Sequence, residues 1–268
     1  MAVVGSKLPL PFDLATKIRR LSSNGRKRLG GRFHRLLDHA YYRHLFGLTV
    51  PGAPNLTRKL AGWERRQGRG DVPVSPDIWE SQYRDGRWVY LNGLQQMTRY
   101  SVIAGYLHTL KNGGCMLDVG CGEGVLLARL GDANYEKFVG IDWSHVAIEQ
   151  AQKRQHPRSF FVQADAQCFV PDETFDAIIF NEVLYYFDEP LAVAQRYQAW
   201  LKPGGLFITS LFAISDRARA IGRRLKQSYH CIDEVEITGH GRSWIIDVLA
   251  PFSTCEKYPS PGELHHER

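Results

Sequence analysis

The sequence predicts an α/β fold built on a doubly wound, mostly parallel sheet of seven strands with its last strand reversed. Three observations predict it. Five short apolar runs, residues 116–119, 138–142, 159–162, 175–180 and 206–211, alternate with helix-period stretches. The first run passes straight into a glycine-rich turn, with Gly120, Gly122 and Gly124 alternating, and then into a helical pattern over 125–130. Two further strand-like runs, 235–238 and 243–249, flank the glycine turn 239–241 and form the reversed end of the sheet.

Composition bounds the class. With 268 residues, 44% hydrophobic and 23% charged, the chain is long enough for one α/β domain and an extension. No apolar run reaches the roughly 18–20 residues of a membrane span. The opening stretch is too short and proline-broken for a secretory signal. The five cysteines show no CxxC or CxxH spacing, which argues for reduced thiols in a cytoplasmic compartment and against structural zinc.

Charge divides the chain. Residues 1–70 hold fifteen Lys and Arg against Asp13, Asp38 and Glu64, so the net charge of +6 conceals a basic arm on a mildly acidic remainder. Leu14, Ile18 and Leu21 form one helical stripe, and Phe33, Leu36, Leu37, Tyr41 and Leu45 a second. This helical, basic N-terminal extension reads as a peripheral contact with an anionic membrane, a nucleic-acid dock, an organelle transit peptide, a solvated extension or a cap packed on the domain. The Gly- and Pro-rich stretch 59–76 is a linker, giving residues 1–76 as arm and linker and 77–268 as the chemical domain.

The domain opens with an aromatic-rich segment holding Tyr83 and Trp88, followed by a helix over 95–110. Its stripe, Met97, Tyr100, Ile103, Ala104, Leu107 and Leu110, packs on the sheet, and the aromatics before it form either a water-excluding lid or core. Asp118 sits on the first strand, two residues before Gly120, where it can bind an ammonium group. The glycine turn lets backbone approach a ligand closely at a helix N-terminus, and its GxGxG spacing differs from the GxGxxG of pyrophosphate sites. Asp142 ends the second strand, where an acid in nucleoside-binding folds accepts from both ribose hydroxyls; its alternative is a helix-start role. Trp143 can lie against an adenine face, and Ser144 caps the helix 146–154. After the third strand come Asp165 and Ala166, and after the fourth, Asn181 to Tyr186 face the carboxyl-end crevice. A helix from Pro190 to Leu201 is stopped by Lys202-Pro203-Gly204-Gly205, and a last helix covers 215–226.

Four blocks stand in order between Gly113 and Leu211: GGCMLDVGCGEG, QADA, FDAIIFNEVLYY and LKPGGLFITS. Together they resemble the class I S-adenosylmethionine-dependent methyltransferases, with their Rossmann-like sheet. The resemblance implies S-adenosyl-L-methionine as cofactor, held by Asp118, Gly120, Gly122, Gly124, Asp142, Trp143, Asp165, Ala166 and Asn181. Asp165 would accept from the adenine amine, and the Ala166 N–H would donate to the ring; a lone Asp after a strand is otherwise a turn residue. Tyr83, Trp88, Tyr185 and Tyr186 would shape the acceptor pocket. Glu182 is the candidate base for a hydroxyl or amine, its alternative a turn cap or core ion pair. The blocks are similar to those of ubiquinone-biosynthesis O-methyltransferases and nodulation-factor N-methyltransferases. In the former, Glu and His beside this acid go with a metal; Tyr185 and Tyr186 stand here instead, which implies none.

The function this implies is methyl transfer to a small-molecule, glycan or lipid-linked acceptor. A nucleic-acid methyltransferase suits the basic arm, but Asn181-Glu182-Val183-Leu184 replaces the Asn/Asp-Pro-Pro-aromatic run that base-amine enzymes carry. A non-catalytic, cofactor-binding partner subunit is the third reading.

Overall fold

The computed structural model describes residues 76–131, 135–154, 156–213, 216–239 and 242–252. The arm 1–75 and the expectations placed on it lie outside the described residues, as do 132–134 and residues 240–241 of the predicted glycine turn. Among the described residues no helix is long and apolar enough to cross a membrane.

The elements run α1 (Pro76–Arg84), a 3₁₀ turn (Val89–Asn92), α2 (Leu94–Lys111), β1 (Cys115–Val119), α3 (Leu127–Leu130) and β2 (Lys137–Asp142). Then come α4 (His145–Lys153), β3 (Ser159–Gln163), β4 (Phe175–Asn181), a 3₁₀ turn (Leu184–Tyr186) and α5 (Pro190–Tyr197). A further 3₁₀ turn (Gln198–Trp200), β5 (Leu201–Phe212), α6 (Asp216–Ser228), β6 (His230–Gly239) and β7 (Arg242–Ala250) complete the order.

The seven strands lie in the order β3-β2-β1-β4-β5-β7-β6. The first five are parallel, and β7 runs antiparallel between β5 and β6, as the reversed end predicts. Chain order reverses between β1 and β4, so their carboxyl ends open the crevice where ligands bind in such sheets. Side-chain alternation divides the core into two layers. Met116, Ala177, Ile179 and Ile208 pack with Tyr100, Ile103 and Leu107 of α2 on one face. Leu117, Ile178, Phe180 and Phe207 pack with Ala194 and Tyr197 of α5 and Ile221 and Leu225 of α6 on the other. Asp118 therefore shares the face of Met116, toward α2.

Three element boundaries differ from expectation. The helix after the glycine turn is the single turn α3, because the loop occupies residues through Leu126. The helical stretch that opens at Pro190 runs through α5 and the 3₁₀ turn to Trp200, one residue short of the expected Leu201, and Lys202-Pro203-Gly204-Gly205 already belongs to β5. A side chain at Gly205 would stand 2.8 Å from the Lys202 carbonyl oxygen and 3.1 Å from that of Phe175, so close strand approach is what requires glycine there. On α2 the inward face of the first turns carries buried Gln96 and Arg99, with Met97 only half-buried, where an apolar stripe is expected.

Candidate functional site

The crevice floor is the turn after β1. Gly120, Gly122 and Gly124 have φ of +75°, +55° and +71°, left-handed values that a side chain would strain. The Gly120 and Cys121 amides both donate to the Ile141 carbonyl, at 2.8 and 2.9 Å, and bind the turn to the end of β2. A Cβ at Gly122 would lie 2.9 Å from the Tyr83 hydroxyl, so Tyr83 of α1 reaches down over the cradle.

Two acids flank this turn. Asp142 Oδ2 accepts from the Gly122 amide and Oδ1 from the Ser144 amide, both at 2.9 Å. Burial pushes its carboxyl up to about 6 against the pull of those amides. Asp118 is 1% exposed, and its Oδ1 has no hydrogen-bond partner among the described residues. Burial first, and then the nearby Asp142 charge, push it up to about 7, while Arg99 opposes the shift. Two desolvated acids around a glycine cradle call for a cationic, hydroxyl-bearing ligand.

The adenine end is more open. Trp143 is 43% exposed on the rim. Asp165 Oδ1 accepts from the Gln167 amide at 2.8 Å, so its carboxylate does brace its own turn, the plain alternative for it. Ala166 is anchored through its carbonyl, which accepts from the Tyr197 hydroxyl at 2.9 Å. Since Asp142 pairs with Gln163 across β2 and β3, Asp142 and Asp165 come to neighbouring strand ends.

On the acceptor side, Asn181 ends β4 and its Oδ1 accepts from Arg99 Nη1 at 2.6 Å. Glu182 follows in a left-handed conformation, φ +63°, uncommon for a residue with a side chain. Its amide donates to the Ser210 carbonyl at 3.0 Å. Its Oε1 accepts from the Ser210 hydroxyl and its Oε2 from the Tyr185 hydroxyl, both at 2.9 Å. Burial raises the Glu182 carboxyl, and Arg99, Ser210, Tyr185 and the Trp244 side chain work against it. The expected alternative of a core ion pair is not what holds it: the contacts are hydroxyls from β5 and the 3₁₀ turn.

A lid of aromatics closes over this region. Tyr185 and Tyr186 meet edge to face at 4.6 Å, and Trp79 meets Tyr186 at 4.6 Å. Trp79 stacks on Trp88 at 5.3 Å, and Tyr83 and Tyr90 flank Trp88 at 5.7 and 5.9 Å. Trp88, 7% exposed, is the centre of this cluster. The lid is pinned by the Ser144 hydroxyl, which donates to Glu80 Oε2 at 2.7 Å, and by Arg242 over the Tyr90 ring at 5.6 Å.

Tyr83, Trp88, Asp118, Asp142, Asn181, Glu182, Tyr185 and Tyr186 thus converge on one crevice, with Trp143, Asp165 and Ala166 at its rim. Sequence reasoning missed Arg99, Ser210 and Trp244. For Arg99 a signal existed: it lies four residues before Ile103, a cation on an inward face. Among the described residues no three His, Cys, Asp or Glu side chains gather as metal ligands.

S-adenosylmethionine suits this crevice: the orphaned buried oxygen of Asp118 matches an ammonium, and braced Asp142 matches vicinal hydroxyls. The N-methyltransferase NodS of Bradyrhizobium japonicum, solved with S-adenosylhomocysteine, superposes with a TM-score of 0.55 at 18% identity, over 62% of this chain and 92% of that one. The 1,6-didemethyltoxoflavin-N1-methyltransferase of Burkholderia thailandensis gives 0.55 at 20% identity, over 66% and 86%. These likenesses show the fold. In sequence, the malonyl-[acyl-carrier protein] O-methyltransferase of Halalkalibacterium halodurans is 33% identical over 104 residues, 36% of this chain and 38% of that one. The chain spans about a third to a half of the length of the curated relatives it matches. A family described as methyltransferase domain matches residues 96–251, more than half of the chain. The chain belongs to the class I S-adenosylmethionine-dependent methyltransferases.

Proposed function

We propose that this chain transfers a methyl group from S-adenosylmethionine to a hydroxyl or amine of a small-molecule, glycan or lipid-linked acceptor. The observation that carries the reading is the pair Asp118 and Asp142 on either side of the glycine cradle, one with a buried oxygen left without a partner. When bound, the cofactor supplies an electrophilic sulfonium methyl and leaves as a neutral thioether.

The chain's own residues supply alignment, desolvation and a place for the acceptor's proton. Asp118 holds the ammonium, and Asp142 accepts from the ribose hydroxyls. Asp165 and the Ala166 amide receive the adenine edge, and Trp143 its face. The aromatic lid from Trp79 to Tyr186 excludes water, and orientation of the reactants alone is worth roughly 7–11 kcal/mol. Glu182 accepts the acceptor's proton; its burial raises its proton affinity, and the Ser210 and Tyr185 hydroxyls fix the carboxylate. The malonyl-[acyl-carrier protein] and toxoflavin names of the relatives support a small or carrier-delivered acceptor. The basic arm, we propose, adds a peripheral contact with an anionic membrane, and the catalytic domain begins at residue 77.

The test is S-adenosylhomocysteine release from S-adenosylmethionine by the full chain, across panels of phenolic, carboxylic and amine acceptors and RNA. Acceptor-dependent release with a small molecule supports the reading. Release with RNA alone replaces it with the nucleic-acid alternative, and cofactor binding without release under any acceptor favours the partner subunit.

A further inference from the structure

The sheet ends in two edge strands, β6 and β3, and they are built differently. An unpaired strand edge is a template for another strand, and charged side chains, bulges or proline are the usual means of blunting it. β6 carries Asp233, Glu234 and Glu236 and a register shift between Cys231 and Asp233. β3, Ser159-Phe160-Phe161-Val162-Gln163, has no charge, proline or glycine and pairs with β2 without a shift. Among the described residues no strand pairs with its outer side. Phe160 and Val162 lie beside Val139 and Ile141 of β2, on the face of the α5 and α6 core layer. That layer stops short of them: Phe160 is 52% exposed and Val162 41%. Residues 164–174, between β3 and β4, form a loop where a helix would cross the face.

The ladder with β2 fixes which backbone groups point outward. The Arg158 carbonyl accepts from the Phe138 amide at 3.0 Å, and the Ala164 amide donates to the Asp142 carbonyl at 2.9 Å. Backbone groups alternate sides along a strand, so Ser159, Phe161 and Gln163 turn their amides and carbonyls away from β2. We propose that β3 is the contact of a two-fold homodimer, added antiparallel to β3 of a second copy with Phe161 opposite Phe161 of the partner subunit. In that register the outward groups meet. Phe161 exchanges hydrogen bonds with its counterpart, and Ser159 with Gln163 of the partner subunit. Phe160 stands opposite Val162 of the partner subunit in the closer, non-hydrogen-bonded kind of pair, and Val162 opposite Phe160 of the partner subunit. Each is an aromatic–β-branched pair of the kind that stabilises sheets, and both lie on the exposed apolar face. Registers moved by two residues run an outward position past the end of the strand. The ends also match in charge: Arg158 precedes β3 and Asp165 follows it, and an antiparallel partner sets the basic end of one copy beside the acidic end of the other. A two-fold contact requires this self-complementarity, and it selects a second copy over a foreign strand.

The inference is independent of the cofactor and acceptor readings. Its test is sedimentation of the full chain as wild type, Phe160→Glu and Val162→Lys, each alone and the two variants mixed, at salt high enough to screen the basic arm. Wild type sediments as a dimer. Each variant alone sediments as a monomer, because a charge enters an apolar pair. The equimolar mixture recovers the dimer, because the substituted positions then lie opposite each other with opposite charge. Both positions are exposed, so the fold is kept, which circular dichroism checks. A wild type that stays monomeric up to its highest soluble concentration overturns the proposal and leaves the edge to a strand of another protein. A dimer that survives either substitution overturns it, and so does a mixture that stays monomeric. If either variant fails to fold, hydrogen exchange of wild type decides. Segment 159–163 then exchanges more slowly as protein concentration rises, and exchange that does not vary with concentration overturns the proposal.

Discussion

At the scale of the residue, the two cradle acids differ in how they are held, and that difference is measurable. Asp118 has a folded-state carboxyl near 7, against about 3.9 for a free Asp. The folded protein therefore holds this proton more tightly than the unfolded chain. The stability it contributes is full below about pH 4 and is lost as pH rises through about 7. Asp118→Asn should match wild type in thermal melts of the ligand-free protein near pH 4 and melt at higher temperature above pH 7. Equal melting temperatures at pH 8 would contradict the buried, unpaired carboxylate. Glu182→Gln should leave S-adenosylhomocysteine affinity near wild type while lowering turnover roughly 10²–10⁴-fold, the range for loss of a positioned base. Wild-type turnover at all pH values would remove Glu182 from that role. The positions of Asp118, Asp142 and Glu182 at or near the carboxyl ends of their strands were legible from the alternation of apolar runs and turns. Arg99 was legible only as an inward-facing cation, because helical spacing gives no sign of which strand end it will meet. Nor could spacing show that both Glu182 oxygens are held by Ser210 and Tyr185, since Ser210 comes from the adjacent strand.

At the scale of the element, the lid joins pieces far apart in sequence: α1, the turn over Val89–Asn92, and the turn over Leu184–Tyr186. Trp88 is its hub, in ring contact with Trp79, Tyr83 and Tyr90. Trp88→Ala should destabilise the protein by roughly 3–5 kcal/mol, as for other buried aromatics cut to Ala, and lower turnover by letting water reach the crevice. Denaturant melts with no loss of stability would show that the cluster is not packed as described. The sequence announced the lid's aromatics but left open whether they were lid or core. They are both: Trp88 is buried in the cluster, and Tyr83 extends from it to the Gly122 backbone. The start of β5 was misread for a related reason. A Lys-Pro-Gly-Gly run is local turn chemistry, and in β5 it falls where the register with β4 shifts, between the Phe175–Leu201 and Ala177–Leu206 pairs.

At the scale of the whole molecule, the seven-stranded parallel sheet, its reversed end and a site at the strands' carboxyl ends followed from the alternation of apolar runs and the position of the glycine turn, whereas the strand order is read from the structure. The basic arm follows from charge alone. With roughly 1 kcal/mol for each basic residue that reaches an anionic surface, screened over about 8–10 Å, the full chain should sediment with phosphatidylserine vesicles at low salt and be released at high salt. Removal of residues 1–75 should abolish sedimentation and preserve S-adenosylhomocysteine binding. Failure of the full chain to sediment at low salt would contradict the membrane contact. The central claim, that the crevice is a cofactor site organised by its acids, is tested most directly by calorimetry of the full chain with S-adenosylmethionine. Asp142 accepts from the Gly122 and Ser144 amides, and on the proposed reading it also receives the ribose hydroxyls. Charge-assisted hydrogen bonds are worth roughly 1.5–3 kcal/mol each, so wild type should bind at one site and folded Asp142→Ala should bind roughly tenfold to a hundredfold more weakly. No binding by wild type, or unchanged affinity in a folded Asp142→Ala, would contradict the account.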